Sequence, residues 1–376
     1  MHLEPGFDTF MILQGEDWVV RWVFIIIGVV LIALGLAAYG PGSLKATSFA
    51  PPPPEDTYLN VVGPPREALR TEVLDFHGAE DLERGPDGRL YASLADGRIM
   101  ARSLEGSWTQ VADTGGRPLG LSFAPDGALF VADALKGLLR LGEDGEFETW
   151  MADESEGGEL VFTDDLTVLD DGSVILTDAS KLYGYGEHMA SFFAGDQTGV
   201  VYRVTAPDEF EVLAEGLAFI NGVDHDPATG LVYLNETWAG QVWSLNTNTG
   251  DLALLASGLP GYPDNLEFDV ETGLVWVALP SLRAPEQEAL HGQPFLKRLL
   301  WRWIQIAGLP PLPDRPVLAL ALSPGGDPVT GVIGPNGAGI TTAIPYEGEL
   351  WVAGLERDGV EAYTLPGPGP GFESAP

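Results

Sequence analysis

The chain has 376 residues, 55 of them acidic against 19 basic, for a formal net charge of −36, and it contains no cysteine. So negative a surface repels a phosphodiester backbone and excludes nucleic-acid binding, and the missing thiols exclude disulfides and thiolate chemistry. A hydrophobic fraction of 45% is enough for a large core, and 48 glycines with 30 prolines suit many short strands joined by tight turns.

Residues 1–17 form an N-terminal tail with Glu4, Asp8, Glu16 and Asp17 but no Lys or Arg. Residues 18–39, WVVRWVFIIIGVVLIALGLAAY, are nearly unbroken apolar sequence of bilayer-spanning length. Trp18, Trp22 and Tyr39 sit where interfacial aromatics belong, and Arg21 can snorkel to the headgroups. A cleaved signal peptide would want a basic start and a shorter apolar core, so the segment reads as an uncleaved single-pass anchor. Residues 40–65 are a Pro-rich linker whose PPPP run at 51–54 predicts a stiff spacer.

From residue 66 to 366 the chain repeats itself. The repeats begin EDLERGPDGRLYAS at Glu80, LGLSFAPDGALFVA at Leu119, DDLTVLDDGSVILT at Asp164, NGVDHDPATGLVYLN at Asn221, DNLEFDVETGLVWVA at Asp264 and TTAIPYEGELWVA at Thr341. Each carries a turn glycine: Gly88, Gly127, Gly172, Gly230, Gly273 and Gly348. Leu or Val follows two residues later, and Tyr91, Phe130, Ile175, Tyr233, Trp276 or Trp351 three residues later. A turn glycine between two strand-like runs is a hairpin. Third strands follow, such as GRIMARS and GVVYRVT, and then fourth strands, such as FETWMA. Four strands repeated six times predict an all-β, six-bladed β-propeller with an N-terminal transmembrane helix. The last repeat runs out after GVEAYTL, so the segment Leu69–Phe76 is expected to supply its outer strand and close the ring. Residues 367–376 are expected to be a disordered tail.

The long gap between Gly273 and Gly348 holds an insertion, residues 282–316. Its middle, QPFLKRLLWRWIQIAGL, is apolar at near-helical spacing with Lys297, Arg298 and Arg302 interleaved. It predicts an amphipathic helix on the face of the channel mouth. A lid, a pocket wall and a membrane-surface helix all fit, and its basic residues favour anionic headgroups.

Aligning the repeats on their glycines places Glu80, Leu119, Asp164, Asn221, Asp264 and Thr341 at the start of the innermost strands, around the central channel. Asn265 adjoins Asp264. Oxygen donors at equivalent places on separate blades repel one another unless a cation neutralises them. An all-oxygen set with three carboxylates suits Ca2+ before Mg2+, and the absence of His and Cys from the ring argues against zinc. The alternative is that these side chains cap strands or bind water. Asp81 and Asp165 lie one step deeper, where they either hold a second ion or are solvated. Six residues after their glycines, Asp133, Asp178 and Glu236 return to the same face as candidate bases for activating water. His225 reads as a packing residue, and His188 lies in a loop that could face the site.

The span from Gly78 to Leu365 resembles the strictosidine synthase-like and adipocyte plasma membrane-associated protein-like propellers, carried by RPLGLSF, ADALKGLLRL, GLAFINGV and LPGYPDNLEF. GAEDLE and PDN are also similar to the related paraoxonases, calcium lactonases and esterases. That resemblance implies a catalytic calcium on Glu80, Asp164, Asn221, Asp264 and Asn265, with Asp164 replacing an Asn, and a structural calcium on Asp81 and Asp165 with the Leu121 carbonyl. Leu119 stands in the place of the paraoxonase active-site histidine. Pro345 falls near the position of the strictosidine synthase catalytic glutamate, which argues against that condensation. The implied function is a membrane-anchored, calcium-dependent hydrolase of lactones or aryl esters, with Asp133 or Asp178 as base. The alternative is a non-catalytic tethered propeller that binds a ligand or protein partner. Abundant calcium outside cells points to a periplasmic or extracellular propeller.

Overall fold

A computed structural model describes residues 8–73, 77–154, 157–308, 316–334 and 339–366; the expected tail, 367–376, lies outside these. Among the described residues, six antiparallel sheets of four strands surround one channel. The innermost strands are Leu82–Arg84, Pro118–Phe123, Thr163–Val168, Ile220–Asp226, Leu266–Asp269 and Thr342–Tyr346. All six turn glycines have positive φ, between 68° and 87°, which the hairpin turns require and a Cβ would oppose.

The strand sequences follow their depth. Second strands such as Val174–Asp178 and Leu274–Leu279 are buried throughout, whereas the fourth strand Glu209–Leu217 is largely exposed and intersperses Glu209, Glu211 and Glu215 among apolar residues. The residue three places after each turn glycine packs into the next blade. Tyr91 meets Leu121 and Leu129, Phe130 meets Leu166, Ile175 meets Ile220, Tyr233 meets Leu266, and Trp276 meets Ala343. Trp351 completes the circle against Leu82 and Leu90 of the first blade.

Strand Arg70–Val73 pairs antiparallel with Gly359–Thr364, Arg70 opposite Ala362 and Val73 opposite Gly359, and so completes the sixth sheet. Glu72 on this strand accepts hydrogen bonds from Arg102 (2.9 Å) and Trp108 (2.7 Å) of the first blade. The Arg102 guanidinium lies 4.7 Å from the Trp351 ring centroid, so charge and apolar packing meet at one seam. Trp351→Ala is expected to lower unfolding free energy by about 3–5 kcal/mol, the usual cost of truncating a buried aromatic, measured as a shifted urea midpoint.

Helix α1 (Asp8–Tyr39) begins well before the apolar segment. Its Arg21–Tyr39 stretch is 19 residues, about 28 Å at 1.5 Å per residue, enough to cross the hydrocarbon of a bilayer. The linker is not a free spacer. Leu44, Ala46 and Tyr58 are buried against the propeller, because a strap carrying apolar residues gains more by packing than by solvation. Short helix α2 (Thr57–Asn60) is tied down by the Tyr58 hydroxyl to the Ser257 carbonyl at 3.1 Å. On the mouth face lie α3 (His188–Ala194), α4 (Pro285–Glu288) and α5 (Pro294–Ala307), the last two inside the insertion.

Candidate metal centre at the channel mouth

The ring is held by blade-to-blade hydrogen bonds. Asn221 Nδ2 donates to Asp264 Oδ1 at 2.9 Å, and Asn265 Nδ2 donates to Glu80 Oε1 at 3.1 Å. Thr341 Oγ1 donates to the Glu80 carbonyl at 2.6 Å. A Cβ at Gly222 would fall 2.5 Å from Leu266 N and 2.6 Å from the Asp264 carbonyl, so only glycine lets blade four approach the Asp264 backbone this closely.

Each amide spends its nitrogen on a carboxylate, which leaves its oxygen over. Glu80 Oε2, Asn221 Oδ1 and Asn265 Oδ1 are buried without a hydrogen-bond partner, and so is Thr163 Oγ1 beside Asp164. Buried polar atoms are nearly always satisfied, so such a group of oxygens from four blades calls for an electrophile. The electrostatics agree. Burial pushes Glu80 well above the usual carboxylate range, Asp264, Asp81 and Asp164 push further, and Arg117 opposes them. Asp164 is raised by burial and then by Asp264 and Asp178, and Asp264 is pushed up by burial to about 7. Among the described residues no group of three His, Cys, Asp or Glu side chains converges at ligand distance. Two of the ring donors are amides, and their donor chemistry fits a hard cation such as calcium.

The structure thus links Glu80, Asn221, Asp264 and Asn265 directly and brings Asp164 within electrostatic reach of them. Asp81 and Asp165 have another use. Asp81 Oδ2 accepts the Leu121 amide of the next blade (2.9 Å) and Asp165 Oδ2 accepts the Val223 amide of the next (2.8 Å). The Leu121 N–H is thus one partner of Asp81. Asp224, which the sequence did not single out, makes the same staple to Phe268 N at 2.7 Å.

Asp133, Asp178 and Glu236 are clamps at equivalent places. Asp133 Oδ1 accepts the Arg117 and Leu135 amides, both at 2.9 Å. Asp178 Oδ1 accepts the Phe162 amide at 2.6 Å, and its Oδ2 accepts Lys181 at 3.0 Å. Glu236 Oε1 accepts the Ala218 amide at 2.6 Å. Each satisfies a buried N–H of the loop leading into its blade's ring residue, an obligation that any buried backbone imposes. Both oxygens of Asp178 are engaged, whereas Asp133 Oδ2 has no partner. Burial raises Asp178, with Lys181 opposing.

Arg117, which opens the RPLGLSF string, is a residue beside the ring that the sequence reading did not single out. It is buried, donates to the Gly78 carbonyl at 3.2 Å, and is the cation that opposes the rise of Glu80. His225 bonds Thr167 at 2.8 Å in the lower channel, where Asp81, Glu83, Asp165, Asp224 and Glu267 line a cavity of about 210 Å³. Pro345 lines that cavity too, away from the mouth. His188 is exposed at the start of α3.

Above the ring sits an apolar roof. Leu119, Phe162 and Phe219 pack with Phe192 and Phe193 of α3, Trp238, Tyr262, and Leu44 and Ala46 of the strap. Phe162 and Phe219 are 5.2 Å apart edge to face, and Phe219 and Trp238 are 4.7 Å apart. With Glu80 only 2% exposed, the ring is screened from bulk water, which strengthens every charge interaction in it.

The family model described as SMP-30/Gluconolactonase/LRE-like region matches residues 90–284, and that described as strictosidine synthase-like, N-terminal matches 67–102. Protein STRICTOSIDINE SYNTHASE-LIKE 13 of Arabidopsis thaliana is 32% identical over 61% of this chain and 63% of its own, so the chain spans a little under two-thirds of that relative. Human adipocyte plasma membrane-associated protein is 28% identical over 74% of this chain and 72% of its own. The solved structure of a calcium-binding protein, regucalcin, from Agrobacterium tumefaciens superposes with a TM-score of 0.57 at 14% identity, covering 81% of this chain and 97% of that one.

Proposed function

Because the chain belongs to the SMP-30/gluconolactonase/LRE-like family, in its strictosidine synthase-like branch, we propose that it is a membrane-anchored, calcium-dependent hydrolase of lactones or aryl esters. The observation that carries this reading is the set of unpartnered buried oxygens on Glu80, Asn221 and Asn265, beside carboxylates that repel one another. Glu80, Asn221, Asp264 and Asn265 would hold the ion, with Asp164 adding a third negative charge. Calcium bound there supplies a Lewis acid for a carbonyl oxygen and for the oxyanion that follows. The residues themselves orient the site. The Asn221–Asp264 and Asn265–Glu80 bonds turn the amide oxygens inward, and the roof excludes water and offers aromatic faces to an acyl or aryl group. Of the two sequence candidates for the base we favour Asp133, because one of its oxygens has no hydrogen-bond partner whereas both oxygens of Asp178 are engaged. Calcium's abundance outside cells supports a periplasmic or extracellular propeller.

A second reading, a tethered binding module, is favoured by the closed roof and by Leu119 in the ring. The full-length protein assayed on phenyl acetate and a panel of lactones, with calcium and with chelator, separates them. Turnover that chelator abolishes supports the hydrolase. Calcium-raised melting without turnover supports the binding module. Asp133→Asn keeps the oxygen that accepts the Arg117 amide but cannot act as base. It is expected to cut kcat by about 10²-fold with unchanged thermal stability; full activity removes Asp133 from the chemistry.

A further inference from the structure

Helix α1 does not hang freely from the propeller; it is stitched to α5. The Tyr39 ring lies 6.2 Å from Phe295, and the Arg298 guanidinium sits 4.8 Å over Tyr39. Arg302 donates to the Pro41 carbonyl at 2.7 Å, Arg298 to the Leu44 and Ala46 carbonyls at 3.2 and 2.7 Å, and Lys297 to the Thr47 carbonyl at 3.2 Å. Thr47 N in turn donates to the Ala194 carbonyl of α3 at 2.7 Å. If α1 crosses a bilayer, its C-terminal end emerges beside α5, and α5 stands at the headgroup level.

Helix α5 has two apolar faces. At 100° per residue, Lys297, Leu300, Trp301 and Ile304 share the face turned to the roof. Phe295, Leu299, Trp303 and Ile306 form a stripe on the opposite face, with Trp303 52% and Ile306 80% exposed. The mouth-side turns add exposed Leu135, Leu182, Tyr185 and Leu355. The lysines follow the same side. Of only four in a chain of net charge −36, Lys136 and Lys181 lie in mouth-side turns, Lys297 on α5 and exposed Lys45 on the strap. Lys297 is buried on the roof side, Lys136 donates to the Thr114 carbonyl and Lys181 is paired with Asp178, so it is the apolar stripe beside the end of α1, not the lysines, that matches a bilayer surface.

We propose that the mouth face of the propeller is seated on the membrane through the outward stripe of α5, and that the site beneath takes an amphiphilic ester or lactone dissolved in that membrane. The substrate class rests on the hydrolase reading above; the seating does not. Exposed indole and alkyl groups meet the acyl region, while the roof's aromatic wall continues the apolar path inward.

A chain without cysteine allows single-site labelling. Full-length protein carrying Ile306→Cys, or Val270→Cys in a 64% exposed turn on the opposite face, is spin-labelled in nanodiscs of phosphatidylcholine and phosphatidylglycerol. Collisions with oxygen are expected to dominate at position 306 and collisions with a water-soluble nickel chelate at position 270. Chelate-dominated relaxation at both positions overturns the seating. In the same discs, Trp303→Glu is expected to slow turnover of a long-chain lactone about tenfold and leave a short-chain, water-soluble one unchanged. Equal effects on both overturn entry from the bilayer. If the unaltered protein turns over neither lactone, the hydrolase reading falls and the substrate class with it, while the spin labels still decide the seating.

Discussion

Glu80→Gln is expected to lower lactone or ester turnover by about 10²–10³-fold, the scale of losing the main stabiliser of an oxyanion, while the propeller stays folded. The substitution keeps an oxygen for the Asn265 amide, which Glu80 Oε1 now accepts at 3.1 Å, and removes a charge that Arg117 opposes. It therefore tests charge rather than shape. Asp264→Ala should act at least as strongly, because it also frees the Asn221 side chain that Asp264 holds at 2.9 Å. Both are read as kcat/KM on the best substrate of the panel and as the calcium concentration for half-maximal rate. Undiminished activity in Glu80→Gln at limiting calcium would remove the ion from the chemistry.

Stability should depend on pH and calcium together. Burial pushes Glu80 and Asp164 well above the carboxylate range and Asp264 to about 7. Without a cation, the folded ring keeps protons that the unfolded chain releases near pH 4. The native state then binds more protons, so its stability is greatest below the unfolded pKa values and falls as pH rises through about 7. In chelator, the melting temperature is expected to drop by about 5 °C or more between pH 5 and pH 8. Calcium at pH 8 should restore most of it by binding the ionised ring. A melting curve indifferent to chelator across that range would mean that the ring carries no ion.

Much of this was legible because repetition registers equivalent positions without any knowledge of contacts. The turn glycines fixed the hairpins, and the residue three places on from each became the knob filling the next blade. Glu80, Asn221 and Asp264 met because equal offsets from those glycines mean equal radii from the axis. What stayed hidden depends on partners far away in sequence. Nothing in Asp81 or Asp165 announces that an amide of the following blade will occupy its oxygen. Asp178 reads like a free carboxylate until Phe162 and Lys181 are placed beside it. The basic residues of the insertion looked suited to lipid phosphate, yet Lys297 is buried, pulled down to about 8 by burial and by Arg298, and all three address carbonyls of the strap. The strap's prolines suggested a spacer because the apolar residues around them, Leu44, Ala46 and Tyr58, are too few to show periodicity.

The pairing of Arg70–Val73 with Gly359–Thr364 has a consequence for biosynthesis. An early strand must wait for residues almost three hundred positions later before it finds its neighbour. A nascent chain already held by α1 would meanwhile expose Leu82 and Leu90 where Trp351 will dock. A ribosome-stalled intermediate ending short of residue 359 should thus engage chaperones or a neighbouring copy at that seam, and release them once the strand arrives.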